Sequence, residues 1–155
     1  MERIVETLEE LDAEAARFVR TITPRETGAT LITLSGELGA GKTAFVKAIA
    51  QALGVGETVT SPTFVLEKIY ALKDTACPSV ADGHAVSFKR LVHIDAYRLE
   101  GGATLAPLGF DELMKDPDNL ILLEWPERVA DALPPATIAL TLSTNPDGLH
   151  TISYD

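Results

Sequence analysis

The sequence predicts an α/β fold, and three features predict it. The apolar run Leu31-Ile32-Thr33-Leu34 leads into a glycine-rich segment, after which Phe45, Val46, Ile49, Ala50 and Leu53 recur at helical spacing. Leu120-Ile121-Leu122-Leu123, bounded by Asn119 and Glu124, has the length and uniform apolarity of a strand buried on both faces. Near the C-terminus two strand-like runs, 136–142 and 149–154, flank Asn145-Pro146-Asp147-Gly148, a turn signal that predicts a hairpin.

The remaining elements follow in order. Leu8, Leu11, Ala15, Phe18 and Ile22 fall at steps of three and four, an amphipathic helix; Thr7 and Glu10 have capping-box spacing, and Pro24 and Gly28 end it. Gly54 closes the second helix. Residues 58–62 read as a loop and 64–72 as an extended segment. Residues 73–87, with Pro78, Gly83 and small polar side chains, read as a surface excursion between two paired strands. A strand is expected over 88–95, ending in an acid, and a short helix around 111–114. A turn or short helix over 126–132 is ended by Pro134-Pro135. No internal repeat is present. A chain of 155 residues, 46% hydrophobic, is long enough for one domain, residues 1–155, with a substantial core.

The chemistry begins at Gly36-Glu37-Leu38-Gly39-Ala40-Gly41-Lys42-Thr43, which fills every defining position of the G-x-x-x-x-G-K-[ST] phosphate-binding loop. Glycines let a backbone wrap closely around phosphates, because they accept positive φ and present no Cβ. The amide groups of such a loop form an anion nest, and the helix that follows turns its positive end to the same ligand. Lys42 is expected to reach the β- and γ-phosphates, and the Thr43 hydroxyl to bind Mg²⁺. An Asn-Lys-x-Asp guanine motif is missing, the nearest approach being the turn Asn145-Pro146-Asp147, so ATP is the expected nucleotide.

Such a loop needs an acid from the tip of an apolar strand, to hold the metal or the attacking water. Two strands offer one: Leu91-Val92-His93-Ile94-Asp95 and Leu120-Ile121-Leu122-Leu123-Glu124. The second run is the more uniformly apolar, so Glu124 is the candidate for Mg²⁺, directly or through water. Asp95 is then the candidate to orient water or complete the metal shell. Ser61-Pro62-Thr63-Phe64 is a second candidate loop, whose hydroxyls could sense the γ-phosphate as a switch does; an ordinary turn is the alternative. His93, inside a strand pattern, reads as structural. Trp125 suits stacking near the nucleotide or a core or interface place. Arg98 and Arg128 could neutralise phosphate charge, with surface pairing as the default.

A formal charge of −10, from 23 acids against 13 bases, argues against a protein that grips nucleic acid through its own general surface. Cys77 is the sole cysteine and lacks a partner for an internal disulfide, which suits a reducing compartment, and no local His marks it as a catalytic thiol. No apolar run approaches membrane-spanning length, and the N-terminal residues lack the apolar core of a secretion signal, so a cytoplasmic place is expected. Three functional classes remain: an ATPase with water as acceptor, a nucleotide-dependent binding module, and a small-molecule kinase. A kinase usually carries an Arg-rich lid; the excursion between 73 and 90 has basic residues only at its ends.

Together the segments resemble the TsaE family of small bacterial ATPases that act in making threonylcarbamoyladenosine on tRNA. The resemblance rests on the phosphate loop, on Ser61-Pro62-Thr63-Phe64, and on His93-Ile94-Asp95-Ala96-Tyr97-Arg98-Leu99. It rests also on Leu108-Gly109-Phe110-Asp111-Glu112 and Glu124-Trp125-Pro126-Glu127. It implies a P-loop NTPase-like three-layer fold with a mixed, mainly parallel central sheet. It implies Thr43 and Glu124 as the Mg²⁺ pair, Asp95 as needed for hydrolysis, Gly39 to Ala44 as the ATP-contacting run, and Glu127 as a further nucleotide contact. It also implies partners, TsaB and TsaD, the latter transferring the threonylcarbamoyl group, with tRNA met only through the complex. This chain departs from the family pattern at Glu37, where Asp is usual, at Ala96, where a larger apolar residue is common, and in the length of 73–87.

Overall fold

A computed structural model describes residues 2–37, 39–55, 67–72 and 88–154. The Ser61–Phe64 motif with Thr63, the 58–62 loop, residues 64–66 of the expected extended segment, and the 73–87 excursion with Cys77 lie outside the described residues. The strands are β1 (Glu2–Val5), β2 (Thr30–Ser35), β3 (Glu67–Ala71), β4 (Arg90–Asp95), β5 (Asn119–Glu124), β6 (Ile138–Thr144) and β7 (His150–Ser153). The helices are α1 (Leu8–Thr21), α2 (Lys42–Ala52) and α3 (Phe110–Met114), with 3₁₀ segments at Gly102–Leu108, Pro126–Arg128 and Ala130–Ala132.

One mixed sheet runs β1-β7-β6-β2-β5-β4-β3. Its centre is parallel, β6 to β2, β2 to β5 and β5 to β4, and its outer pairs are antiparallel. Every residue of β5 is buried, as a strand covered on both faces requires. Alternation sends Leu120 and Leu122 to the face covered by α1 and α2, and Ile121 and Leu123 to the face covered by α3 and the first 3₁₀ segment. Three layers result. The expected C-terminal hairpin is present, β6 pairing with β7 across the Asn145–Gly148 turn. Among the described residues, no helix is long and apolar enough to cross a membrane.

Helix α1 buries Leu11, Ala15, Phe18 and Val19 against α2 and the sheet. Leu8, on the same stripe, is 74% exposed because its turn borders an open cavity. The Thr7 hydroxyl caps the helix, accepting from Glu10 N–H at 3.1 Å. The return bond of the capping box is displaced by one residue: the Glu10 carboxylate accepts from Glu6 N–H at 2.7 Å. Helix α2 ends in a Schellman pair, Val55 N–H to the Ala50 carbonyl and Gly54 N–H to that of Gln51.

The edge strand β1 was not expected from the sequence. It pairs with β7, a contact between the two ends of the chain that no local pattern announces. Glu14, almost fully buried on α1, ties this region together: its carboxylate meets Arg17 at 2.8 Å, accepts from the Tyr154 hydroxyl at 3.2 Å and lies 3.8 Å from Arg3 on β1. Replacing Glu14 with Ala leaves these donors without their common acceptor. The expected loss is about 1–3 kcal/mol of unfolding free energy, read by urea denaturation.

Candidate nucleotide-binding site

The parallel centre of the sheet brings the candidate residues together. Register places Leu34 of β2 beside Glu124 of β5, and Glu124 beside Asp95 of β4. Three strands therefore end at one level, and the phosphate loop leaves β2 there, the end at which parallel α/β sheets bind ligands. Gly36, Gly39 and Gly41 adopt φ of 148°, 84° and 98°. Gly41 is the N-cap of α2, so Lys42, Thr43 and Ala44 form its first turn, where backbone N–H groups lack helical partners. Gly36 is required on a second ground: a Cβ there would lie 2.2 Å from the Leu142 carbonyl oxygen on β6.

Lys42 is only 4% exposed and is held by its own loop. Its ammonium donates to the carbonyls of Gly36 at 2.6 Å and Glu37 at 2.9 Å, and sits 4.1 Å from the centre of the Trp125 ring. Burial pushes its pKa down, and the charges of Glu124, Glu127 and Asp95 pull it back up. Glu127 thus lies close enough to act on Lys42, although it is exposed. The Thr43 hydroxyl donates to Oε1 of Glu124 at 3.0 Å, and Oε2 of Glu124 lies 2.6 Å from His93 Nε2. Asp95 is half-buried and accepts from Tyr97 N–H at 3.0 Å. Burial raises its carboxyl pKa above the usual range, with the Tyr97 N–H opposing, Glu124 adding to the rise, and His93 and Lys42 opposing it.

Two residues read as ambiguous or structural from sequence enter the site. Trp125 is the one non-glycine residue with positive φ, 60°, among those described. This backbone costs about 1–2 kcal/mol. It turns the ring against Lys42, and against Tyr97 at 4.9 Å between centroids. His93 is fully buried and touches Glu124 from the neighbouring strand. A signal for it existed: period-two alternation puts His93 and Asp95 on one face of β4. Arg128 stacks over Tyr97 at 5.5 Å. A cavity of about 250 Å³ opens beside the loop, between Gly41 and Ala44, the start of α1 at Thr7, Leu8 and Leu11, and His150 and Ile152 of β7. It depends on β1 and β7 meeting and had no local signature.

A strand, phosphate-type loop and helix in a parallel sheet centre, with an acid at the tip of the adjoining strand, define the class: an α/β protein of P-loop-like fold. A family model described as threonylcarbamoyl adenosine biosynthesis protein TsaE matches residues 5–151, and the chain belongs to the TsaE family. Among relatives named tRNA threonylcarbamoyladenosine biosynthesis protein TsaE, that of Streptomyces coelicolor is 41% identical over 66% of this chain and 61% of its own length. That of Treponema pallidum is 35% identical over 80% of each chain, and that of Bacillus subtilis 31% identical over 87% of this chain and 82% of its own. The chain thus spans less than two thirds of the first relative and about four fifths of the other two. The crystal structure of Bacillus subtilis YdiB superposes with a TM-score of 0.66 at 25% identity, covering 99% of this chain and 83% of that one.

Two outcomes follow from the geometry. Gly36→Ala is expected to lower stability by about 1–3 kcal/mol in urea unfolding, through the Leu142 clash and the positive φ. Asp95→Asn is expected to raise the Tm at pH 7.5, because the folded protein then no longer carries a carboxylate that burial disfavours. A raised folded pKa means that wild type gains stability as pH falls through that value. The advantage of the variant therefore shrinks in acid, which thermal unfolding at several pH values checks.

Proposed function

We propose that this protein is a Mg²⁺-dependent ATPase serving the threonylcarbamoyladenosine modification of tRNA in the cytoplasm, weak alone and completed by TsaB and TsaD. The single observation that carries the ATPase part is the 3.0 Å bond between Thr43 at the start of α2 and Glu124 at the tip of β5, residues 81 apart in sequence. A hydroxyl beside a carboxylate is a hard-oxygen donor set, and it fits Mg²⁺, which takes one or two protein oxygens together with water and phosphate. Among the described residues no group of three or more His, Cys, Asp or Glu side chains could hold a metal by itself, so a metal here would share its shell with the nucleotide. Held by Thr43 and Glu124, Mg²⁺ would supply positive charge against the phosphates.

The chain's own residues divide the remaining work. The first turn of α2 and the loop from Gly36 through Gly39 and Ala40 to Ala44 bind the phosphates through backbone N–H groups. Lys42 exchanges the Gly36 and Glu37 carbonyls for phosphate oxygens. Asp95, one strand beyond Glu124, orients the attacking water, and its raised pKa suits an acceptor of that water's proton. The cavity beside Gly41 takes the base. Its volume is below that of a pocket for a whole drug-sized ligand, as a site for one ring system should be. Glu127 and Thr63 are further nucleotide contacts, the first carrying a charge that acts on Lys42. The acidic surface leaves tRNA to the partners.

The experiment is ATP hydrolysis with and without TsaB and TsaD. Lys42→Ala should abolish ATP binding. Asp95→Ala and Glu124→Ala should each reduce turnover by about 10²–10⁴-fold in the complex. Wild-type hydrolysis by both acid variants would overturn the assignments. Full tRNA modification by an Asp95→Ala protein that binds ATP without hydrolysing it would instead favour the binding module.

A further inference from the structure

The β4 strand is apolar and fully buried at Leu91, Val92 and Ile94, yet it carries a fully buried imidazole at position 93. Alternation puts His93 on the face covered by α2, in register with Leu122 of β5 and Lys68 of β3. A leucine there would extend the core. The imidazole instead leaves Nδ1 buried with no hydrogen-bond partner among the described residues, a desolvation cost that a leucine would not carry. Among the described residues its one hydrogen bond is Nε2 against Oε2 of Glu124 at 2.6 Å. Carboxylate oxygens accept, so the ring donates from Nε2–H, and the tautomer is set by Glu124.

The two oxygens of Glu124 therefore have different partners: Oε2 takes the His93 donor and Oε1 takes Thr43. The terminal torsion of a glutamate is broad and roughly two-fold, so a carboxylate with no fixed partner samples many orientations. We infer that His93 is the positioning residue for Glu124, pinning Oε2 from β4 so that Oε1 stays turned to the Thr43 hydroxyl. This rests on the reading of Glu124 as the Mg²⁺ acid. The Nε2–H bond supplies what outer-shell partners supply elsewhere, orientation of a ligand side chain, whose loss typically lowers metal affinity about 10–100-fold.

Calorimetric binding of ADP with MgCl₂ and with EDTA tests this, with Trp125 fluorescence as a second readout on the only tryptophan of the chain. His93→Leu and His93→Asn lack a donor at the Nε2 position; His93→Gln keeps one. The first two should lose about 10–100-fold of the Mg²⁺-dependent part of ADP affinity with EDTA binding unchanged, while His93→Gln retains most of it. A purely structural histidine would lower the Tm and leave the Mg²⁺ dependence intact in all three, which overturns the inference. If His93→Leu does not fold, the Asn and Gln pair decides: equal Mg²⁺ dependence overturns it, and a loss confined to Asn supports it. Glu124→Ala separates the two levels. If it leaves Mg²⁺ dependence at wild type, the metal reading of Glu124 fails and the positioning role with it. If Glu124→Ala loses Mg²⁺ dependence while His93→Leu and His93→Asn keep it, only the positioning role fails.

Discussion

The parallel register of β2, β5 and β4 is the constraint on which the rest depends. It sets Leu34, Glu124 and Asp95 at one level, so a loop leaving β2 meets acids from two other strands without any long side-chain reach. A slip of one residue in β5 would turn Glu124 to the other face and bring Leu123 toward the loop. Burial of all six β5 residues makes such a slip costly. The core and the site are thus specified by the same pairing.

Opposite charges meet within the site. Lys42 is buried beside three acids, and its ammonium is satisfied by two loop carbonyls and an indole face. Asp95 is ionised only against the pull of burial. The three acids outnumber the one ammonium on which they act, so the site carries an excess of negative charge. A divalent cation held as proposed between Thr43 and Glu124 would offset that excess. The indole held by a strained backbone at Trp125 keeps Lys42 near the loop mouth instead of in solvent.

Features carried by neighbouring residues were legible in the sequence. The eight-residue loop, the two strand-tip acids, the amphipathic face of α1, the Schellman end of α2 and the β6–β7 turn are all local patterns, and each has its place in the fold. What was not legible depends on distant pairing. The His93–Glu124 contact spans 31 residues and the Glu14–Tyr154 contact 140. The strand β1 exists because β7 offers an edge, and the cavity beside Gly41 exists because β1 places the start of α1 there. Leu8 matched the helical stripe yet faces an opening, since period reports which side of a helix a residue is on, not what lies opposite.

The central claim is that the β2–α2 loop holds a triphosphate with its metal between Thr43 and Glu124. The most direct measurement is a crystal structure with Mg²⁺ and a non-hydrolysable ATP analogue. Density is expected for the phosphates against Gly39 to Thr43, with the Lys42 ammonium released from the Gly36 and Glu37 carbonyls onto phosphate oxygens and the base in the cavity beside Thr7 and Leu8. An analogue bound elsewhere, with Lys42 still on its two carbonyls, would contradict it.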